Sequence, residues 1–153
     1  MIADDSLRAL FVTFAFLMQA LLLANFASRY LRPSLERQHG WVVYVTAMAG
    51  IVVAALLLLG GQPWSVVVGP VICAIWGAFG FLVDRVYGVE WRSPARPSIL
   101  IPYVLLFIAS QFGFWIPLWY VGREHWIAYT VTYSVNTLVN VLSHRLPAMA
   151  TAR

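Results

Sequence analysis

The stretch WVVYVTAMAGIVVAALLLL (Trp41–Leu59), GGQP (Gly60–Pro63), WSVVVGPVICAIWGAFGFLV (Trp64–Val83) decides the class of fold. From residue 41 to residue 83 there is no charged side chain. Each apolar run is close to the ~20 residues that carry a helix across a ~30 Å hydrocarbon core. The Gly-Gly-Gln-Pro between them is too short for anything but a tight turn, which predicts two neighbouring antiparallel membrane helices.

Working outward, three more runs of that kind appear: Ala9–Ser28, Ile99–Val121 and His125–Ser143. The reading is an all-α integral membrane protein, a single domain over residues 1–153. It is a bundle of five transmembrane helices at roughly 9–28, 41–59, 64–83, 99–121 and 125–143. Composition agrees. Hydrophobic residues make up 61% and charged residues only 10%, against roughly 25% charged in soluble domains. So few charges cannot cover a soluble surface, whereas lipid suits the composition.

The net charge of +4 rests on ten arginines, with no lysine. They sit at the ends of the apolar runs and not in one basic patch, which argues against nucleic acid and for anionic lipid headgroups as partners. Arg29, Arg32, Arg37, Arg85, Arg92, Arg96, Arg145 and Arg153 fall on one side of a five-span topology, and Arg8 and Arg123 on the other. The positive-inside rule then places the N-terminus outside and the C-terminus in the cytoplasm of a multi-pass protein of the cell inner membrane. The acidic start, Asp4 and Asp5, has the wrong polarity for a secretory signal and suits an uncleaved first helix. Trp64, Trp119, Tyr120 and Trp126 are expected at the outer interface. Tyr30, Trp41, Tyr44, Tyr87, Trp91 and Tyr103 are expected at the inner one, and Trp76 deeper.

Small residues predict where helices touch, because helix association in lipid relies on close packing. Gly69, Cys73 and Gly77 share a face of the third span, Gly50 and Ala54 mark the second, and Ala109 and Gly113 the fourth. Contact within the monomer is the favoured use, with a homo-oligomer left open. Cys73 reads as a packing residue. Pro70 and Pro117 are expected to bend their helices.

Uncharged polar side chains in these apolar runs are the functional lead. Gln19, Gln111 and Ser134 lie near the centres of spans one, four and five, with Asn136 close by. A buried amide without a partner costs several kcal/mol in hydrocarbon, so Gln19, Gln111 and Asn136 should converge. The safest pair is Gln111–Asn136, whose helices are joined by a short turn. On the fifth span Thr132, Asn136, Asn140 and Ser143 fall within about 80° on a helical wheel, with Tyr129 in the same stripe and His144 at its edge. That stripe faces the bundle interior or a partner. It is read as a seam that binds or passes a small or hydrophobic ligand, or as glue between helices in a structural or assembly subunit.

At the cytoplasmic face Asn25, Asp84, Arg85, Asn140 and His144 are expected at similar depth. Histidine with a carboxylate suggests a third reading, an enzyme acting on lipid headgroups. The plainer one pairs Asp84 with an arginine and caps a helix with His144. His125 and His144 are about 28 Å apart along one helix and cannot share a metal. No metal site, cofactor motif, nucleotide loop or hydrolase elbow is present in the sequence. The reading leans away from catalysis and assigns no catalytic residue and no cofactor. Glu90–Pro97, rich in Trp, Arg and Pro, is expected to anchor at headgroups.

Gly69-Pro70-Val71, with Trp76 and Gly80 beyond, resembles part of the signature of the tryptophan-rich translocator family of five-helix membrane proteins. That resemblance implies a hydrophobic ligand, such as a porphyrin or sterol, within the bundle. It covers about a dozen residues of one helix. The family carries the signature on its second helix after a proline-rich loop; here it lies on the third span without that loop, and no family is assigned.

Overall fold

The computed structural model describes residues 5–90 and 95–150, with the side chains of residues 33, 37 and 144–150 excluded. Among the described residues the chain folds into helices α1 (Asp5–Leu31), α2 (Pro33–His39), α3 (Trp41–Met48), α4 (Gly50–Leu59), α5 (Trp64–Phe81), α6 (Pro97–Val121) and α7 (Arg123–Ala150). A π-helical turn, Leu82–Val86, extends α5.

Four helical runs are long and apolar enough to cross a bilayer: Asp5–Leu31, Ser34–Leu59, Trp64–Val86 and Pro97–Val121. They support a multi-pass membrane protein. α7 spans 28 residues, but Thr130, Thr132, Ser134, Asn136, Thr137, Asn140 and Ser143 interrupt its apolar character, and it is not among those four.

The connection expected from Arg29 to Gly40 is mostly helix. Pro33 starts α2 in the first-turn position, where its missing N–H breaks no bond. Arg29 reaches Glu36 at 3.2 Å and ties α2 to the end of α1. Helices α2, α3 and α4 are segments of one run, since Gly40 and Ala49 at the junctions both keep right-handed helical dihedrals. The turn at residues 60–63 forms as expected. Gly61 takes φ +67, and the Gln62 amide N–H closes the helix end on the Leu57 carbonyl at 2.9 Å, an arrangement glycine permits without a Cβ penalty. One residue, Gly122, separates α6 from α7.

α5 also runs further than the sequence boundary at Val83. The π turn carries Asp84 and Arg85 on a helical end instead of a loop, and Gly88 at φ +58 follows it.

Packing follows the small residues. A Cβ on Gly69 would lie 2.6 Å from the Gly113 carbonyl oxygen, so α5 and α6 meet backbone to backbone. A Cβ on Gly77 would lie 2.7 Å from the Tyr44 carbonyl oxygen, and one on Gly50 2.5 Å from that of Pro70. Thus α5 touches α6 on one side and α3 and α4 on the other. α7 packs on α1 and α6, and α1 returns to α3 and α4, closing a ring. Phe11, Phe14, Met18, Val67, Phe114 and Leu118 fill its centre. The outside is apolar, with Ile51, Leu59, Leu105, Phe112 and Leu138 all more than half exposed; such a surface needs lipid.

Two of the expected interfacial tyrosines lie inward. Tyr44 is buried and Tyr103 half-buried, and both pack against Trp76, at 5.7 and 5.6 Å between ring centroids. Trp64, Trp119, Tyr120, Tyr30, Trp41 and Tyr87 are exposed, while Trp126 stacks against Trp115 and Trp119. Trp91 lies outside the described residues.

Candidate functional site

α1 and α7 present matching faces. On α1 the buried residues Phe11, Ala15, Met18, Leu22 and Phe26 recur every three or four positions. Among the described side chains of α7 the buried ones are Tyr129, Asn136 and Ser143, seven apart, the spacing that keeps one helical face on a neighbour. Phe16 meets Tyr129 at 6.0 Å and Gln19 meets Asn136 three residues on, so the two helices run parallel. α6 runs antiparallel to α7, since Gln111 bonds Tyr129 while Trp119 packs on Trp126.

At the junction of the three helices the amides converge, with Gln19 as the hub. Gln19 Nε2 donates to Gln111 Oε1 at 2.5 Å. Asn136 Nδ2 donates to Gln19 Oε1 at 2.5 Å and to the Gln19 carbonyl at 2.9 Å. Tyr129 donates its hydroxyl to Gln111 Oε1 at 3.0 Å, and Gln111 Nε2 donates to Ser110 Oγ at 3.2 Å. The safest pair expected from sequence, Gln111–Asn136, has no direct bond; Gln19 stands between them. The cause is α1, whose place in the bundle is not encoded in the α6–α7 turn.

One backbone group fixes the polarity of this whole network. The Gln19 carbonyl only accepts, so the Asn136 group facing it must be the NH₂. Gln19 must then turn its oxygen to Asn136 and its NH₂ to Gln111, and Gln111 must turn its oxygen to Gln19 and Tyr129. No amide can be reversed without placing two acceptors or two donors in contact.

That polarity leaves a remainder. Asn136 Oδ1 is buried without a hydrogen-bond partner, and so is Asn140 Oδ1 one turn along α7. Asn136 as a whole is 2% exposed. On the other side of the clasp lie rings: Phe11 and Phe14 at 5.8 and 5.9 Å from Phe114, and Tyr129 beyond. Polar side chains thus continue from the clasp toward the C-terminal end of α7, and aromatic ones toward its N-terminal end.

The remaining predicted site residues divide. Ser143 is buried on the seam and donates to the Asn140 carbonyl at 2.7 Å. Thr132 is half-buried and bonds its own helix at Ala128, and Ser134 is exposed; neither joins the clasp. The side chain of His144 lies outside the described residues. Asp84 is far along the sequence from the seam and accepts a hydrogen bond from Tyr44 at 2.6 Å, with Tyr103 3.4 Å from the same hydroxyl. Arg85 is exposed beside it. The π turn that aims Asp84 at Tyr44 has no signal in the hydropathy pattern. Tyr129 is the member of the clasp that sequence reasoning underrated, as its phenol reads equally well as apolar packing.

Among the described residues no three His, Cys, Asp or Glu side chains gather to hold a metal. No known protein family, curated protein or solved structure matches this chain.

Proposed function

We propose that the chain is a five-span protein of the cell inner membrane, N-terminus outside and C-terminus cytoplasmic, that binds or passes a small ligand along the α1–α7 seam. The observation that carries this reading is the pair of buried, unpartnered oxygens Asn136 Oδ1 and Asn140 Oδ1. Buried polar groups normally find partners, and two bare acceptors in line on an otherwise closed seam are what a bound donor would complete. The intramembrane position of such groups points the same way. α7 is the fifth span in this reading, its polar face turned from lipid by α1.

The test uses proteoliposomes and stopped-flow light scattering under gradients of glycerol, urea and potassium chloride. Wild-type protein should exceed empty vesicles for at least one solute. The Asn136→Leu/Asn140→Leu variant should return to the empty-vesicle rate with helicity and oligomeric state intact. Wild-type rates equal to those of empty vesicles, or an unaffected double variant, reject passage.

A second reading, an assembly subunit, has its own observation. Tyr133, Ser134, Thr137, Leu138 and Val141 line an open groove of about 410 Å³ on the outward side of α7. The Ser134 and Thr137 hydroxyls bond back to their own helix. Leu138→Trp should shift oligomeric state in detergent if another subunit seats there, and leave it unchanged if lipid does.

A further inference from the structure

We infer that the ligand of this seam is a neutral hydrogen-bond donor, water in the first instance, held between Asn136 Oδ1 and Asn140 Oδ1, and that the wetted path ends at the Gln19 clasp. The inference rests on the ligand reading of the seam and names the chemistry that such a ligand must have.

Three observations lead there. The free groups are both acceptors. The clasp polarity commits both Asn136 N–H groups to Gln19, so its oxygen must accept a hydrogen bond from elsewhere. On the facing part of α1 stand Leu22 and Phe26, buried and apolar, with no donor to give. A partner that carries its own hydrogens satisfies both oxygens.

The spacing fits one small molecule. Side chains four apart on a helix start about 5–6 Å from one another. A water oxygen with two O–H···O bonds of about 2.8 Å bridges such a pair. Buried waters typically hold two to four polar partners, and these two carbonyl oxygens supply the first two.

Charge is the third point. Gln19, Gln111, Tyr129, Asn136, Asn140 and Ser143 carry no formal charge, so the seam has no carboxylate to compensate a cation stripped of its hydration. An ammonium or alkali ion would meet two amide oxygens and little else. A neutral donor needs no more than that.

The direction of the path follows from what flanks the oxygens. Toward the C-terminal end of α7 the buried face continues through Ser143. Toward the N-terminal end every clasp group is already bonded, and the Phe11, Phe14 and Phe114 rings lie beyond. Water enters from the C-terminal side and stops at Gln19 while the clasp is closed, so passage along the seam requires the clasp to open.

Solid-state NMR of asparagine- and glutamine-labelled full-length protein in lipid bilayers tests this through water-to-protein magnetisation transfer. The side-chain carbonyl carbons of Asn136 and Asn140 should gain water signal early, and those of Gln19 and Gln111 later. Asn140→Leu should abolish the early signal at Asn136. Titration with ammonium chloride or sodium chloride should leave the Asn136 and Asn140 shifts in place. Transfer to Asn136 no faster than to Gln111 overturns the inference, and a saturable shift with either salt overturns the neutral ligand. Water contact without solute passage would reject transport while leaving this hydration site intact, so the two failures are distinguishable.

Discussion

Gln19 shows how much of this bundle hangs on a single amide. It joins α6 to α7 through α1, yet its neighbours keep second partners: Gln111 retains Tyr129, and Asn136 retains the Gln19 backbone carbonyl. Gln19→Leu should therefore destabilise the protein by about 1–2 kcal/mol, two interhelical bonds at the modest worth measured in membranes. Thr132→Val should cost under about 0.5 kcal/mol, because that hydroxyl bonds only its own helix. Steric-trapping unfolding in bicelles measures both, and equal losses would remove the special standing of the clasp. Convergence of Gln19, Gln111 and Asn136 was legible in the sequence, since each lies mid-span and none tolerates hydrocarbon alone. Which of them is the hub was not legible, because hydropathy records depth and says nothing of rotation between helices that are distant in the chain.

At the scale of elements, the glycines of α5 decide distances. Gly69 and Gly113 approach so closely that a Cβ on Gly113 would stand 2.6 Å from the Gly69 Cα. No rotamer change relieves a clash with backbone, so α5 and α6 would have to separate along their contact. Gly113→Ala and Gly69→Ala are expected to cost about 1–3 kcal/mol each, as overpacking does in tight cores, and chemical denaturation followed by tryptophan fluorescence would show it. Loss from only one of the pair would mean that the helices are set apart by other contacts. Small-residue spacing announced these contacts. The helix in the first connection and the π turn at residues 82–86 went unannounced, for they sit where polar and charged residues suggest a loop. Only the surroundings, Glu36 for Arg29 and Tyr44 for Asp84, favour the helical path.

For the molecule as a whole, cysteine labelling tests the proposed number of crossings and their sense. In a Cys73→Ala background, a cysteine at the exposed Glu124 should react with an impermeant thiol reagent added outside intact cells. Cysteines at Gln38 and Ala95, also exposed in the fold, should not. Gln62 is a poor reporter despite its place in a turn, because it is 9% exposed and donates to the Gly60 carbonyl. The reverse labelling pattern would invert the topology, and labelling at all three would break the five-span count. The four apolar runs were plain in the sequence because twenty apolar residues have few other uses. The fifth, His125–Ser143, was read as a further apolar run with charge placement in support, and its polar face becomes intelligible only when α1 covers it. The single-residue link at Gly122 has a consequence for biogenesis. Asparagine and hydroxyl side chains weigh against partitioning of a nascent segment into lipid from the translocon. With one residue between them, α7 cannot leave the ribosome as an independent candidate. In the proposed five-span topology it reaches the translocon attached to a far more apolar α6, and the two would enter as one hairpin, with the amides shielded from acyl chains as soon as α1 is met.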